Sequence, residues 1–176
     1  VNALVSVVLN LLILLGITPD SPEVGYGWIE PAGAIGGQQA RTPYRVRQFW
    51  EKPSFALARD LLARGCLWNS FVMVSCVPTL LTLIRRALPD LYYRFAGIRS
   101  ALDTLGEEEA VRALYARLPP TNFSSGVLAA CPANLAVLPV NGTEWSDWGE
   151  PRRVLATLAR LGIQPEWAEP GAALPA

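Results

Sequence analysis

The chain has 176 residues, 51% of them hydrophobic and 17% charged, which is enough apolar mass for one domain with a sizeable core and excludes a disordered or fibrous chain. Lys plus Arg equals Asp plus Glu at 15 each, and no basic run carries interleaved aromatics, so nucleic acid is not expected as a partner. Cys66, Cys76 and Cys131 lack any C-x-x-C spacing and the chain has no His; neither a disulfide framework nor a zinc site is suggested, nucleophile-histidine pairs are ruled out, and a reducing cytoplasm fits best.

Residues 1–17 are apolar apart from Asn2, Ser6, Asn10 and Gly16. A bilayer-spanning helix needs roughly 20 such residues, and a secretory signal needs a basic leader and a cleavage site. The run is short of the first and lacks the second, so membrane contact is not expected. It reads as a helix ending near Leu9 followed by a buried strand, LLILLGI, of the continuous apolar kind found in parallel sheets. Gly27 to Pro31 and Tyr44 to Trp50 are two extended segments around a loop, Ala32 to Thr42, that contains Gly33, Gly36 and Gly37. A glycine-rich phosphate loop runs from a strand into a helix, whereas this one joins two strands and is a hairpin connection.

Ser54 then offers an N-cap, Leu57, Leu61 and Leu62 recur at helical spacing, and Gly65 stands where a terminating glycine belongs. LWNSFVMV is a strand. Pro78 suits a first helical position, and Leu80, Leu81, Leu83 and Ile84 supply an apolar stripe to about Ala87. Glu107 to Glu109 open a further helix through Tyr115, where acidic side chains favour the positive end of the dipole. Leu135 to Val140 is another strand, with Asn141-Gly142 as its turn. Pro151 to Leu161 is a closing helix whose Arg152, Arg153 and Arg160 are expected to face solvent. One domain is expected over residues 1–164 and a loosely ordered tail over 165–176. The triplets at Asn122 and Asn141 match glycosylation acceptors, but no export signal accompanies them.

Four short words stand in fixed order: PEVGYGWIE from Pro22, FWEKP from Phe49, LWNSF from Leu67 and WSDWGEP from Trp145. In that order they resemble the carboxyl-terminal half of a sugar-1-phosphate nucleotidylyltransferase domain, with the mannose-1-phosphate guanylyltransferases as the best likeness. The resemblance runs from about Leu12 to Gly162. It implies an α/β fold: a mixed, mostly parallel sheet flanked by helices, Rossmann-like and of the GT-A type, here incomplete at its amino terminus. The implied reaction transfers guanylyl from GTP to mannose 1-phosphate, giving GDP-mannose and pyrophosphate, with Mg²⁺ as cofactor and a sugar 1-phosphate and a nucleoside triphosphate as partners.

Such a transfer must bring two anionic groups into line, so cations beside the phosphates supply most of the catalysis. By resemblance, Lys52 contacts the sugar phosphate and Asp147 binds Mg²⁺, these two being the catalytic candidates. Glu51 would hold sugar hydroxyls, Asn69 would hydrogen-bond the sugar, and Gly25 and Gly27 would let the ring approach the backbone. Trp28, Trp50, Trp68, Trp145 and Trp148 lie in or beside the words; core packing is the expected role for most of them.

The chain departs from the family's pattern where relatives commonly read S-I-D-Y-A-x-x-E. Here the segment is NFSSGVLA, with Ser124 for the Asp and Ala129 for the Glu. The family's glycine-rich nucleotide loop is not found within these 176 residues, and one carboxylate makes a poor Mg²⁺ site. The expectation is therefore the acceptor-binding half of such an enzyme. The alternative is a noncatalytic sugar-phosphate binding or regulatory protein, and an exposed half-core would favour association into a homo-oligomer.

Overall fold

The computed structural model describes residues 10–36, 42–143 and 145–165. The chain divides into two compact units, Val1–Asn141 and Gly142–Ala176. The expected amino-terminal helix up to Leu9 and the tail beyond Pro165 lie outside the described residues.

The first unit is built on five strands: β1 (Leu12–Ile17), β2 (Gly27–Ala34), β3 (Tyr44–Glu51), β4 (Leu67–Val74) and β5 (Leu135–Val140). They close into a small barrel in the order β1-β4-β2-β3-β5. The fold is mixed α/β, but the expected mostly parallel, helix-flanked sheet needs correction. Among the described strands only β1 and β5 run parallel, in unbroken register from Leu12 opposite Leu135 to Ile17 opposite Val140. The pairs β1/β4, β2/β3, β2/β4 and β3/β5 are antiparallel. The connection between β2 and β3 is the expected hairpin, and so short a link cannot make the crossover a parallel pair requires.

Helices fill the longer connections: α1 (Phe55–Ala63), α2 (Val77–Ala87), α3 (Pro89–Gly97) and α4 (Glu107–Tyr115). Their ends follow local rules. Ser54 Oγ accepts from Leu57 N at 3.4 Å, and Gly65 takes the left-handed conformation, φ +73°, just beyond the end of α1. Glu107, Glu108 and Glu109 occupy the first turn of α4. The helix α3 was not foreseen, although Pro89 and Asp90 at its start are ordinary opening signals.

Alternation along the strands sorts side chains to two faces. Leu12, Leu14, Ile29, Phe49, Leu67, Leu135 and Val137 share one face and form the main core with Leu83 of α2. Val127 and Leu128 join them from a π-helical turn, Ser124–Leu128, which one departure from the family's pattern, Ser124, opens and the other, Ala129, follows. On the opposite face Trp28 pairs across the strands with Trp50 and with Trp68.

In the second unit, α5 (Pro151–Arg160) follows the W-S-D-W word. Arg153 departs from expectation: its side chain is 16% exposed and held in an ion pair, because Asp147 in the preceding turn faces it.

Candidate functional site

The core face runs out of apolar residues at one end of the barrel, and the candidate polar residues begin there. Gly27 lies opposite Glu51 in the β2/β3 ladder, and Asn69 lies opposite Gly16 in β1/β4. Each stands two residues beyond a core side chain on its own strand, Ile29, Phe49 and Leu67, and so shares that face. This end holds the carboxyl termini of the parallel strands β1 and β5, where ligands of α/β sheets usually bind. Thr18 Oγ1 donates to Asn141 Oδ1 at 3.0 Å and ties those two strand ends together.

Gly27 is the hinge of the arrangement. A methyl group added to it would lie 2.8 Å from Phe49 Cζ, 3.1 Å from Glu51 Oε2 and 3.3 Å from Asn69 Cβ. Three of the expected sugar contacts, Gly27, Glu51 and Asn69, are therefore brought within a few ångströms of one another. The glycine is required by close approach, since its φ is not in the left-handed region. Asn69 is 7% exposed and its Oδ1 accepts from Phe71 N at 3.2 Å, which leaves the amide NH₂ able to donate. Glu51 is half-buried and forms no ion pair among the described residues.

Lys52 follows at the end of β3. Its N–H donates to Tyr26 O at 3.2 Å, extending the ladder by one rung, and its backbone is left-handed, φ +47°. That conformation is unfavourable for a residue with a Cβ. The side chain is exposed and its ammonium has no carboxylate partner among the described residues. The Gly25 N–H is occupied, donating to Glu23 Oε1 at 2.7 Å. Trp28 Nε1 donates to Glu23 O at 2.8 Å, so Glu23 and the indole together hold the turn that enters β2.

Trp28, Trp50 and Trp68 share the other face. Trp28 is fully buried and meets Trp68 edge to face at 6.1 Å, while Tyr26 meets Trp68 at 5.1 Å. Core packing is thus the role of Trp28 and Trp68, as expected. On the same strand as Trp28, and missed by reading the sequence, Glu30 is 7% exposed and clamped by two guanidiniums. Arg64 Nη2 lies 2.5 Å from Oε2, and Arg47 Nη1 lies 3.2 Å from Oε1. Hydrogen bonds to Glu30 and then Asp60 raise the Arg64 pKa, and the same guanidinium sits 5.6 Å over the Trp50 ring. This clamp braces β2, β3 and the end of α1 beside the strand ends that carry Gly27 and Glu51. An acid at the end of the word P-E-V-G-Y-G-W-I-E was its only sequence signal.

Asp147 stands in the second unit, in a turn of its own. Arg153 Nη1 bonds both carboxylate oxygens, at 2.8 and 2.7 Å, and Gly149 N donates to Oδ1 at 3.1 Å. Trp148, left-handed at φ +50°, closes the turn through Nε1 to Thr157 Oγ1 at 3.3 Å. A magnesium ion needs near-octahedral oxygen coordination from carboxylates, waters and phosphates. The donors here do not fit it as they stand: a guanidinium holds the one carboxylate, and no cluster of three or more acidic or cysteine ligands exists among the described residues.

Comparison with known proteins adds lineage to this geometry. No protein-family model matches the chain. Mannose-1-phosphate guanylyltransferase of Escherichia coli K12 is 30% identical over 144 residues, which is 78% of this chain and 29% of that protein. The chain is a homologue of part of the mannose-1-phosphate guanylyltransferases. ManC of Salmonella typhimurium LT2 is 28% identical over the same share of the chain, and the xanthan biosynthesis protein XanB of Xanthomonas campestris pv. campestris is 39% identical over 144 residues. A solved structure from Thermus thermophilus, named mannose-1-phosphate geranyltransferase, superposes with a TM-score of 0.67 at 26% identity, covering 92% of this chain and 44% of its own. A mannose-6-phosphate isomerase from Helicobacter pylori, at TM-score 0.62 and 19% identity, shares the fold. The chain spans less than a third of the length of these guanylyltransferases, at 29%. Among the described residues, no helix is long and apolar enough to cross a membrane.

Proposed function

We propose that this chain binds the acceptor of a nucleotidyl transfer, mannose 1-phosphate, and that the longer guanylyltransferases it matches pair such a half with a GTP site to make GDP-mannose and pyrophosphate. The observation that carries this reading is the convergence of Gly27, Glu51 and Asn69 at one strand end, with the exposed Lys52 as the residue that follows Glu51. Glu51 and the Asn69 amide offer one acceptor and one donor set for sugar hydroxyls, while a bare glycine lets the ring approach the backbone. Lys52 supplies the positive charge that a phosphate monoester requires.

Mg²⁺ is the cofactor the reaction calls for; Asp147, the residue the resemblance assigns to it, is held by Arg153. The Arg153 ion pair also favours a second reading, a sugar-phosphate binding protein without turnover. Titration calorimetry tests the site that both readings share. Mannose 1-phosphate should bind the chain, with affinity reduced at least about tenfold in both Lys52→Ala and Glu51→Gln, a loss of about 1.4 kcal/mol. Binding unaffected by either change overturns the site. Pyrophosphate release from GTP and mannose 1-phosphate by this chain would dismiss the noncatalytic reading.

A further inference from the structure

We propose that Phe71 and Phe123 form an apolar platform on which the acceptor's pyranose ring stacks; this deepens the reading above and rests on it. The first sign is an irregularity of β4. Gly16 lies opposite Asn69 and Leu14 opposite Met73, so three residues of β4, Ser70 to Val72, face Leu15 alone. This is a bulge, a device that re-aims a side chain and is common beside active sites. It is stitched at both ends. Ser70 Oγ donates to Leu15 O at 2.7 Å and accepts from Val72 N at 3.2 Å, while Asn69 Oδ1 accepts from Phe71 N.

At its apex, Phe71 is left-handed, φ +60°, with 56% of its surface exposed. A bulky residue in that region is strained, and strain persists where the surroundings over-determine it. Burial does not explain the residue, because the ring stays largely in solvent. Its aromatic neighbour is Phe123, 6.3 Å away and edge to face at 87°. A T-shaped pair leaves one ring face open, and that face carries the negative end of the aromatic quadrupole. The carbon-bound hydrogens of a pyranose complement such a face, while its hydroxyls turn toward Asn69 and Glu51. Ser124, buried next to Phe123, places no charge at this wall. The same Asn69 side chain thus addresses the sugar and shapes the bulge that presents the ring.

The test compares Phe71→Gly and Phe71→Leu with the unaltered chain, by calorimetric titration of mannose 1-phosphate and of inorganic phosphate, together with thermal unfolding. Phe71→Gly relieves the left-handed backbone, so its unfolding midpoint should stay level or rise while mannose 1-phosphate affinity falls about tenfold. Inorganic phosphate, which has no ring to stack, should bind both variants as before. Phe71→Leu keeps an apolar side chain without a π face and should weaken the sugar phosphate too. Unchanged mannose 1-phosphate affinity in both variants, with Glu51→Gln still weakened, overturns the platform and leaves the acceptor site standing. No binding by the unaltered chain overturns both.

Discussion

Replacing Gly27 by Ala probes the site and the core at the same point. The new methyl would lie 2.8 Å from Phe49 Cζ, a separation real Cβ atoms essentially never show. The Phe49 ring is 1% exposed and packed within the core, so it has no free direction in which to retreat. Overpacking of this kind costs about 1–3 kcal/mol. A smaller effect opposes it: the Gly27 backbone is one Ala adopts without strain, so the unfolded chain loses entropy worth about 0.4–1 kcal/mol. The steric cost wins, leaving a net loss of about 1–2 kcal/mol and a Tm lowered by roughly 2–8 °C for a domain of this size. The methyl also lies 3.1 Å from Glu51 Oε2, so the carboxylate must shift, and mannose 1-phosphate affinity should fall with stability. Urea unfolding followed by tryptophan fluorescence gives the first quantity and calorimetry the second. Phe49→Leu in the same chain removes the ring tip, so the double variant should lose less than the two single losses added together. A Gly27→Ala chain as stable as the parent and equal in affinity would refute the convergence of Gly27, Phe49 and Glu51.

Three further outcomes are expected. Gly16→Ala places a methyl 2.6 Å from Val137 Cγ2 and 2.7 Å from Leu67 Cδ1, and should cost about 2–3 kcal/mol in urea unfolding, part of it recovered by Val137→Ala. Burial, reinforced by Glu30, pushes the Cys66 thiol up from 9.0 to about 11. The folded chain then keeps a proton that the unfolded chain releases, so this contribution is whole below pH 9 and declines as pH rises toward 11. Unfolding midpoints of parent and Cys66→Ala should therefore converge between about pH 8 and about pH 10.5; parallel curves would contradict a raised thiol. Removing divalent metal with a chelator should leave the unfolding midpoint in place, given the absence of a ligand cluster among the described residues, and a lowered midpoint would reveal a structural metal.

Much of the local structure could be read along the chain. The Ser54 cap, the Gly65 stop, the acidic first turn of α4 and the strand from Leu135 to Val140 are signals carried within a few residues of where they act. The four words were legible for the same reason, and the homology to guanylyltransferases accords with them. Distances, partners and direction were not legible. The strand within LLILLGI read as one of the parallel kind, but its partner was not legible: that Leu12 to Ile17 pairs with Leu135 to Val140, across more than a hundred residues, followed only from the closed sheet. Arg153 read as a solvent-facing helix residue until Asp147 came to face it, and Glu30 as one acid in a word until Arg47 and Arg64 closed on it. Phe71 read as an ordinary strand residue, because the bulge that projects it depends on Leu15 in another strand. Composition, caps and motif order are set by neighbours along the chain, and so the sequence alone determined the elements and the lineage. Which strands pair, which charges meet and which ring is turned outward depend on residues far apart in sequence, and the tertiary structure decided them.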